Sequence, residues 1–234
     1  MAVYTDPPSS SATRAPSTKC QRCDTLMRSP VVCEACQALF PVHDANYFDL
    51  LGLPRRYAMD DARLREAFRA IARSVHPDRF GDDADDIKEL ATRLSADVNH
   101  AFQALSDPVR RAAYLLEMSG GHGAAESRDV PQAVLTDVMM IREEIEEARA
   151  AGDQAALDRH RGAIAQRREQ TLGRIAEHAE RLASSSDEQK KELRLLLNSM
   201  KYYDNLLAEL AEDPLKSEAE RSRGLKPAAR TQDE

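Results

Sequence analysis

Beyond residue 45, apolar residues recur at helical spacing along almost the whole chain, and that periodicity restricts the fold more than any other feature. Leu64, Phe68, Ile71, Ala72 and Val75 fall at offsets 0, 4, 7, 8 and 11, which places them on one buried face of a helix. Ile87, Leu90, Leu94, Val98, Ala101, Phe102 and Leu105 form a second such stripe. Three longer helical stretches follow, about 131–150, about 153–183 and about 187–211, each with one apolar face. The first buries Val134, Val138, Ile141, Ile145 and Ala148, the second Leu157, Ile164, Leu172, Ile175, Ala179 and Leu182. The third uses Leu193, Leu196, Leu197, Met200, Tyr203, Leu207 and Leu210. Only 5% of residues are aromatic and Trp is absent, too few of the residues that favour sandwiches and barrels. The expected class is all-α: a helical hairpin, then a three-helix bundle.

Local signals punctuate these stripes. A short first helix around Tyr47, Leu50 and Leu51 stops near Gly52 and Pro54, and Asp60 can cap the next. That helix ends at His76-Pro77-Asp78, a tight polar connector to the third. The pairs Asp82-Asp83 and Asp85-Asp86 fall in this loop and favour the positive end of the following helix. Pro108 opens a shorter stretch to Met118, as suits a first-turn residue. Residues 119–128 hold three of the nine glycines and form a linker. The expected organisation is a disordered 1–18 rich in Pro, Ser and Thr, a cysteine module at 19–40, a helical domain at 44–118, the linker, a bundle at 129–212 and a loose tail at 213–234. No convincing internal repeat is visible.

The four cysteines all lie in the module. Cys20-x2-Cys23 and Cys33-x2-Cys36 can place four thiolates around one tetrahedral ion, as structural Zn²⁺ requires. A segment of this size has no core of its own, so metal binding would supply its stability. Two redox dithiols or an iron–sulfur cluster are the other uses of such a set; zinc is favoured, because no strand-to-helix redox turn is evident. Four protein ligands close the site to chemistry.

A formal net charge of -7 argues against a nucleic-acid coat, and no apolar run approaches the ~20 residues of a membrane-spanning helix. No signal peptide is visible, and the segment before Cys20 is poor in Arg for a mitochondrial address. The expected compartment is the bacterial cytoplasm, with the mitochondrial matrix as the alternative. Residues 55–79 break the acidic trend, with seven Arg against four acids. Arg69 and Arg73 lead into His76-Pro77-Asp78, and Arg79 follows. A basic helix ending in exposed His and Asp suits docking to an acidic partner. As a catalytic pair these two lack a nucleophile or second base, and no phosphate loop or open metal site occurs, so no enzyme is expected. On the first bundle helix Leu135, Met139 and Met140, with Glu143 at the edge, make a second apolar row. This row is either part of a wide buried stripe or an adaptable binding surface of the kind Met favours.

Asn46-Tyr47-Phe48-Asp49-Leu50-Leu51-Gly52-Leu53-Pro54, His76-Pro77-Asp78-Arg79-Phe80 and Asn99-His100-Ala101-Phe102-Gln103-Ala104-Leu105-Ser106-Asp107-Pro108 together closely resemble a J-domain. Arg110-Arg111-Ala112-Ala113-Tyr114-Leu115-Leu116 narrows the resemblance to the HscB family, the J-type co-chaperones of iron–sulfur cluster assembly. Met139-Met140-Ile141-Arg142-Glu143-Glu144-Ile145 and Lys201-Tyr202-Tyr203-Asp204-Asn205-Leu206 agree with it. The resemblance spans about residues 45–211, and the cysteine module resembles the zinc segment that some members carry.

The resemblance implies a two-ended adaptor that assists assembly of a protein complex. His76, Pro77 and Asp78 would trigger ATP hydrolysis in a DnaK/HscA-class chaperone. Leu135, Met139, Met140, Glu143 and Tyr202 would hold an IscU-type scaffold. Thr136 and Met140 stand where the family pattern has an apolar and an acidic residue. Two other readings are a general J-domain protein with a different client and a zinc-ribbon nucleic-acid binder. The latter would need a basic module, yet residues 1–40 carry four basic against three acidic groups. Self-association is left open.

Overall fold

The computed structural model describes residues 19–42 and 45–211. The expected disordered 1–18 and loose tail 213–234 lie outside the described residues, as do His43 and Asp44. Among the described residues the regular structure is helical: α1 (Tyr47–Leu50), α2 (Asp61–Ser74), a 3₁₀ turn (Pro77–Phe80), α3 (Asp85–Ser106), α4 (Pro108–Met118), α5 (Gln132–Ala151), α6 (Gln154–Glu180), a 3₁₀ turn (Leu182–Ser184) and α7 (Asp187–Ala211). Extended backbone pairs in isolated bridges, Lys19 with Leu26, Ser29 with Val32 and Val32 with Leu39. The chain divides into two compact units. One takes the residues up to Gly123 together with Ala176–Lys190, the other Ala124–Ile175 and the residues from Lys191 onward.

In the first unit Asp60 caps α2 as expected, and Asp107 adds a cap beyond the expected one. The Asp60 carboxylate accepts from the Ala62 amide at 2.8 Å, and Asp107, just before Pro108, accepts from the Arg110 amide at 2.8 Å, each satisfying an orphan donor. Helices α2 and α3 pack by their apolar faces, with the Phe68 and Phe102 rings stacked at 4.2 Å between centroids. Leu64, Val75, Leu94, Val98 and Leu105 are buried between the elements. Arg111 is buried too; its guanidinium lies 5.1 Å over the Tyr57 ring and donates to the Leu105 carbonyl at 2.8 Å. Burial pushes the Tyr57 hydroxyl above its ordinary range, while Arg111 pulls against that shift. One expectation is corrected: Asp85 and Asp86 are not in the loop but form the first turn of α3, where Ala84 is the N-cap without a side-chain bond. Their charge meets the helix's positive end from inside it.

The cysteine module contains an internal repeat, against the expectation of none. Cys20-Gln21-Arg22-Cys23-Asp24-Thr25-Leu26-Met27 corresponds residue by residue to Cys33-Glu34-Ala35-Cys36-Gln37-Ala38-Leu39-Phe40. In each copy the residue after the second Cys is left-handed, Asp24 at φ 57° and Gln37 at φ 59°. The amide of that residue bonds back to the first Cys carbonyl, Asp24 to Cys20 and Gln37 to Cys33, both at 2.9 Å. The first Cys amide in turn donates across the turn, Cys20 to Thr25 at 2.9 Å and Cys33 to Ala38 at 3.0 Å. Two like knuckles therefore face each other.

The second unit is a bundle whose core joins Val138, Ile141 and Ile145 of α5, Ile164 of α6, and Tyr203, Leu206 and Leu210 of α7. Gly152 ends α5 in the left-handed conformation at φ 67°, the usual place for glycine after a helix. Asn198 is buried; its amide donates to the carbonyls of Ser127 and Asp129 at 3.0 and 2.9 Å. This pins the end of the glycine-rich segment to α7.

Candidate functional site

The four sulfurs lie within 4.8 Å of one another, with Cys20–Cys36 and Cys23–Cys33 at 3.6 Å. A tetrahedral Zn²⁺ with Zn–S of about 2.3 Å needs sulfurs about 3.8 Å apart; a disulfide needs about 2 Å. The donor set fits a metal and not a disulfide, and the four cysteines are free thiols. The Thr25 hydroxyl and backbone lower the Cys23 thiol to about 6. Against the pull of the Ala38 backbone hydrogen bond, desolvation and the neighbouring thiols push Cys36 up to about 12. Four sulfurs this close cannot all ionise without a cation between them. Met27 and Phe40, equivalent residues of the two knuckles, pack around the cysteines.

The module is seated on the helical part of its unit. Ser29 is buried, and its hydroxyl donates to the Leu50 carbonyl at the end of α1, at 2.7 Å. Gly52 follows with φ +63°, and a Cβ there would come within 2.7 Å of the Arg28 carbonyl oxygen. Gly52 is thus a stop signal and also the clearance the module needs. Neither role for Ser29 nor this second role for Gly52 was visible in the sequence, because the partner residues are remote along the chain.

His76-Pro77-Asp78 is exposed between α2 and α3. Pro77 opens the 3₁₀ turn, and His76 is its N-cap. The His76 Nδ1 accepts from the Asp78 amide at 3.3 Å. The Asp78 carboxylate lies 3.5 Å from the same nitrogen, and the two side chains are 89% and 55% exposed. The Arg79 amide donates to the His76 carbonyl at 3.0 Å, closing the turn. Arg63, Arg65, Arg69 and Arg73 are all exposed along α2. The Nε atoms of Arg69 and Arg73 each donate one turn back, to the carbonyls of Arg65 and Arg69, at 3.2 Å. Arg79 also reaches the cysteine module, where its guanidinium donates to Gln37 Oε1 at 3.4 Å. Gln37 carries no signal in the sequence beyond its place after Cys36.

The row on α5 is exposed where the sequence left two readings open. Met139 is 65% and Met140 51% exposed, Glu143 is exposed and Leu135 half-buried. Leu135, Met139 and Glu143 follow at steps of four, one surface row of a helix. Tyr202 packs against the bundle core with Val134, Leu157 and Leu207. Thr136 is exposed and bonds back to the Gln132 carbonyl at 3.1 Å.

Residues 46–114 match the DnaJ domain, and residues 130–211 match the HSCB C-terminal oligomerisation domain. A co-chaperone protein HscB homolog from Burkholderia mallei is 38% identical over 144 residues, 61% of this chain and 81% of the relative. One from Chromobacterium violaceum is 44% identical over 114 residues, 47% of this chain and 65% of the relative. Among solved structures, the chaperone HscB from Vibrio cholerae gives a TM-score of 0.61 at 28% identity, covering 75% of this chain and 99% of that one. The human co-chaperone protein HscB gives 0.68 at 24% identity, covering 86% and 98%, a likeness of fold. With a J-type half, a matching carboxyl-terminal half and relatives covered over most of their length, the chain belongs to the HscB family of co-chaperones.

Proposed function

We propose that this chain stimulates the ATPase of a DnaK/HscA-class chaperone and delivers to it an IscU-type scaffold of iron–sulfur cluster assembly. The observation that carries the reading is the exposed, hydrogen-bonded His76-Pro77-Asp78 turn at the end of a helix whose exposed side is lined with arginines. Triggering hydrolysis in another protein requires a coupling free energy: the docked turn and α2 must bind one chaperone state better than the other. Arg69, Arg73 and Arg79 would meet an acidic chaperone surface, giving fast, salt-sensitive association. At the other end, the exposed Met139 and Met140, with Leu135 and Glu143, offer an adaptable apolar row for the scaffold; Tyr202 is assigned to the same contact. The four cysteines would hold one Zn²⁺, whose chemistry there is to neutralise thiolates and tie two knuckles together. The chain itself moves no bonds.

Chaperone ATPase turnover, with and without purified scaffold, tests both ends. Wild-type protein should stimulate turnover, and scaffold should raise it further. The His76→Gln variant should keep its helicity and lose stimulation; full stimulation by that variant overturns the mechanism.

A further inference from the structure

We propose that Gln37 is a positioning residue for the chaperone-docking turn: fixed in the second cysteine knuckle, its side-chain oxygen braces Arg79, so that metal loading of the module tightens docking. This rests on reading residues 76–78 as the docking turn. Both ends of the Gln37 amide are committed. Its Nε2 donates to the Glu34 carbonyl inside the knuckle at 3.0 Å, which turns Oε1 outward to the Arg79 guanidinium at 3.4 Å. The backbone beneath it is equally constrained. Gln37 holds φ 59°, a conformation that disfavours a side chain and persists only when its surroundings enforce it. Here the enforcing contacts are the bonds that run to Cys33, Gln37 N–H to the Cys33 carbonyl and Cys33 N–H to the Ala38 carbonyl. A metal held by Cys33 and Cys36 would lock that loop; without it the knuckle keeps those backbone bonds and a small apolar cluster.

The brace also has a foundation. Elsewhere in the module the buried Ser29 hydroxyl is bonded to Leu50, and Gly52 lets the Arg28 carbonyl approach α1 closely. The module therefore touches the helical part of its unit at two places, the end of α1 and the residue directly after His76-Pro77-Asp78. A knuckle anchored at one and bonded at the other limits how Arg79 and the 3₁₀ turn can move. An unbraced turn must be ordered when a chaperone docks, which weakens affinity and leaves the His76 and Asp78 chemistry intact.

The test uses the full-length protein and separates affinity from competence. ATPase stimulation is titrated against co-chaperone concentration. Gln37→Ala should raise the half-saturating concentration about two- to threefold, the scale of one exposed hydrogen bond, with maximal stimulation unchanged. Gln37→Glu, which keeps an oxygen for Arg79 but loses the donor to the Glu34 carbonyl, should fall between Gln37→Ala and wild type. Cys33→Ser should raise the concentration at least as much, and adding Gln37→Ala to it should change nothing further, because the brace is already lost. A Gln37→Ala titration that overlays wild type, or effects that simply add, overturns the proposal. The second arm needs no chaperone: hydrogen exchange at the Arg79 amide should quicken in Gln37→Ala and when a chelator strips the metal. Unchanged exchange in both overturns the brace. If wild-type protein stimulates no ATPase, the functional reading fails and this arm alone decides the brace.

Discussion

The cysteine module and the carboxyl-terminal bundle are held by opposite kinds of force. The module's centre is four sulfurs within 4.8 Å of one another, flanked by Met27 and Phe40. The bundle closes on fully or almost fully buried aliphatic side chains such as Ile164 and Leu206. Burial of apolar surface needs no particular solution chemistry. A thiolate cage works only with a cation and only when the thiols are deprotonated. One end of the chain is therefore conditional on its surroundings and the other is not. The two surfaces proposed to meet partners differ as well: hydrogen bonds order the His76-Pro77-Asp78 turn between α2 and α3, whereas the Met139–Met140 row has the flexibility of methionine.

The sharpest break of this comparison is metal removal. A strong chelator should unfold the module, making all four cysteines reactive to a thiol reagent, while the helical signal of the bundle stays within error. Structural zinc contributes apparent energies of about 10–16 kcal/mol in small domains, so no remaining contact of the module can compensate. Metal affinity should fall as pH drops. In the metal-free module Cys23, lowered to about 6, is ionised at neutral pH, whereas Cys36, at about 12, still holds its proton. Binding expels protons, so each step toward acid favours the free thiols. Chelator competition at about pH 6 and about pH 8 measures this. An affinity that does not change with pH would mean the cysteines are not the ligands.

The converse break is a cavity in the bundle. Ile164→Ala removes buried methylenes from the centre of the cluster that joins α5, α6 and α7. The expected cost is about 2–5 kcal/mol, read as a lower midpoint in chemical denaturation. The loss should be the same with or without chelator. A chelator-dependent loss would couple the two cores and end the contrast.

Legibility in the sequence follows the range of the forces. The apolar stripes, the Asp60 cap, the Pro108 helix start and the two Cys-x2-Cys pairs are set by neighbours a few residues away, and pattern alone found them. Leu206, fully buried, falls outside the expected stripe because Tyr203 and Leu207 already complete it. The exposed position of Met139 and Met140 depended on which side of α5 the other helices cover. Asp85 and Asp86 entered α3 because the helix begins at Ala84, a residue with no capping side chain to announce it. The contacts that join the module to the helices, Ser29 to Leu50 and Gln37 to Arg79, involve residues whose types carry no signal. Their meaning comes only from the partner that folding brings to them.

The smallest effect on stability should come from the surface that the adaptor reading uses most. Met139 is 65% exposed and lies outside the bundle's buried cluster, so Met139→Asp should change stability by no more than about 0.5 kcal/mol. The carboxylate would nevertheless stand in the middle of the Leu135–Glu143 row. On docking it would have to shed water, and Arg142, three residues on, is already engaged by Glu209, so the desolvation cost is several kcal/mol if the contact is dry. Scaffold pull-down should therefore drop sharply while the denaturation midpoint holds. An apolar row that served the core would give the reverse, a destabilised bundle with scaffold capture lost only in proportion. The ratio of the two losses, more than either alone, separates a binding surface from a wide buried stripe.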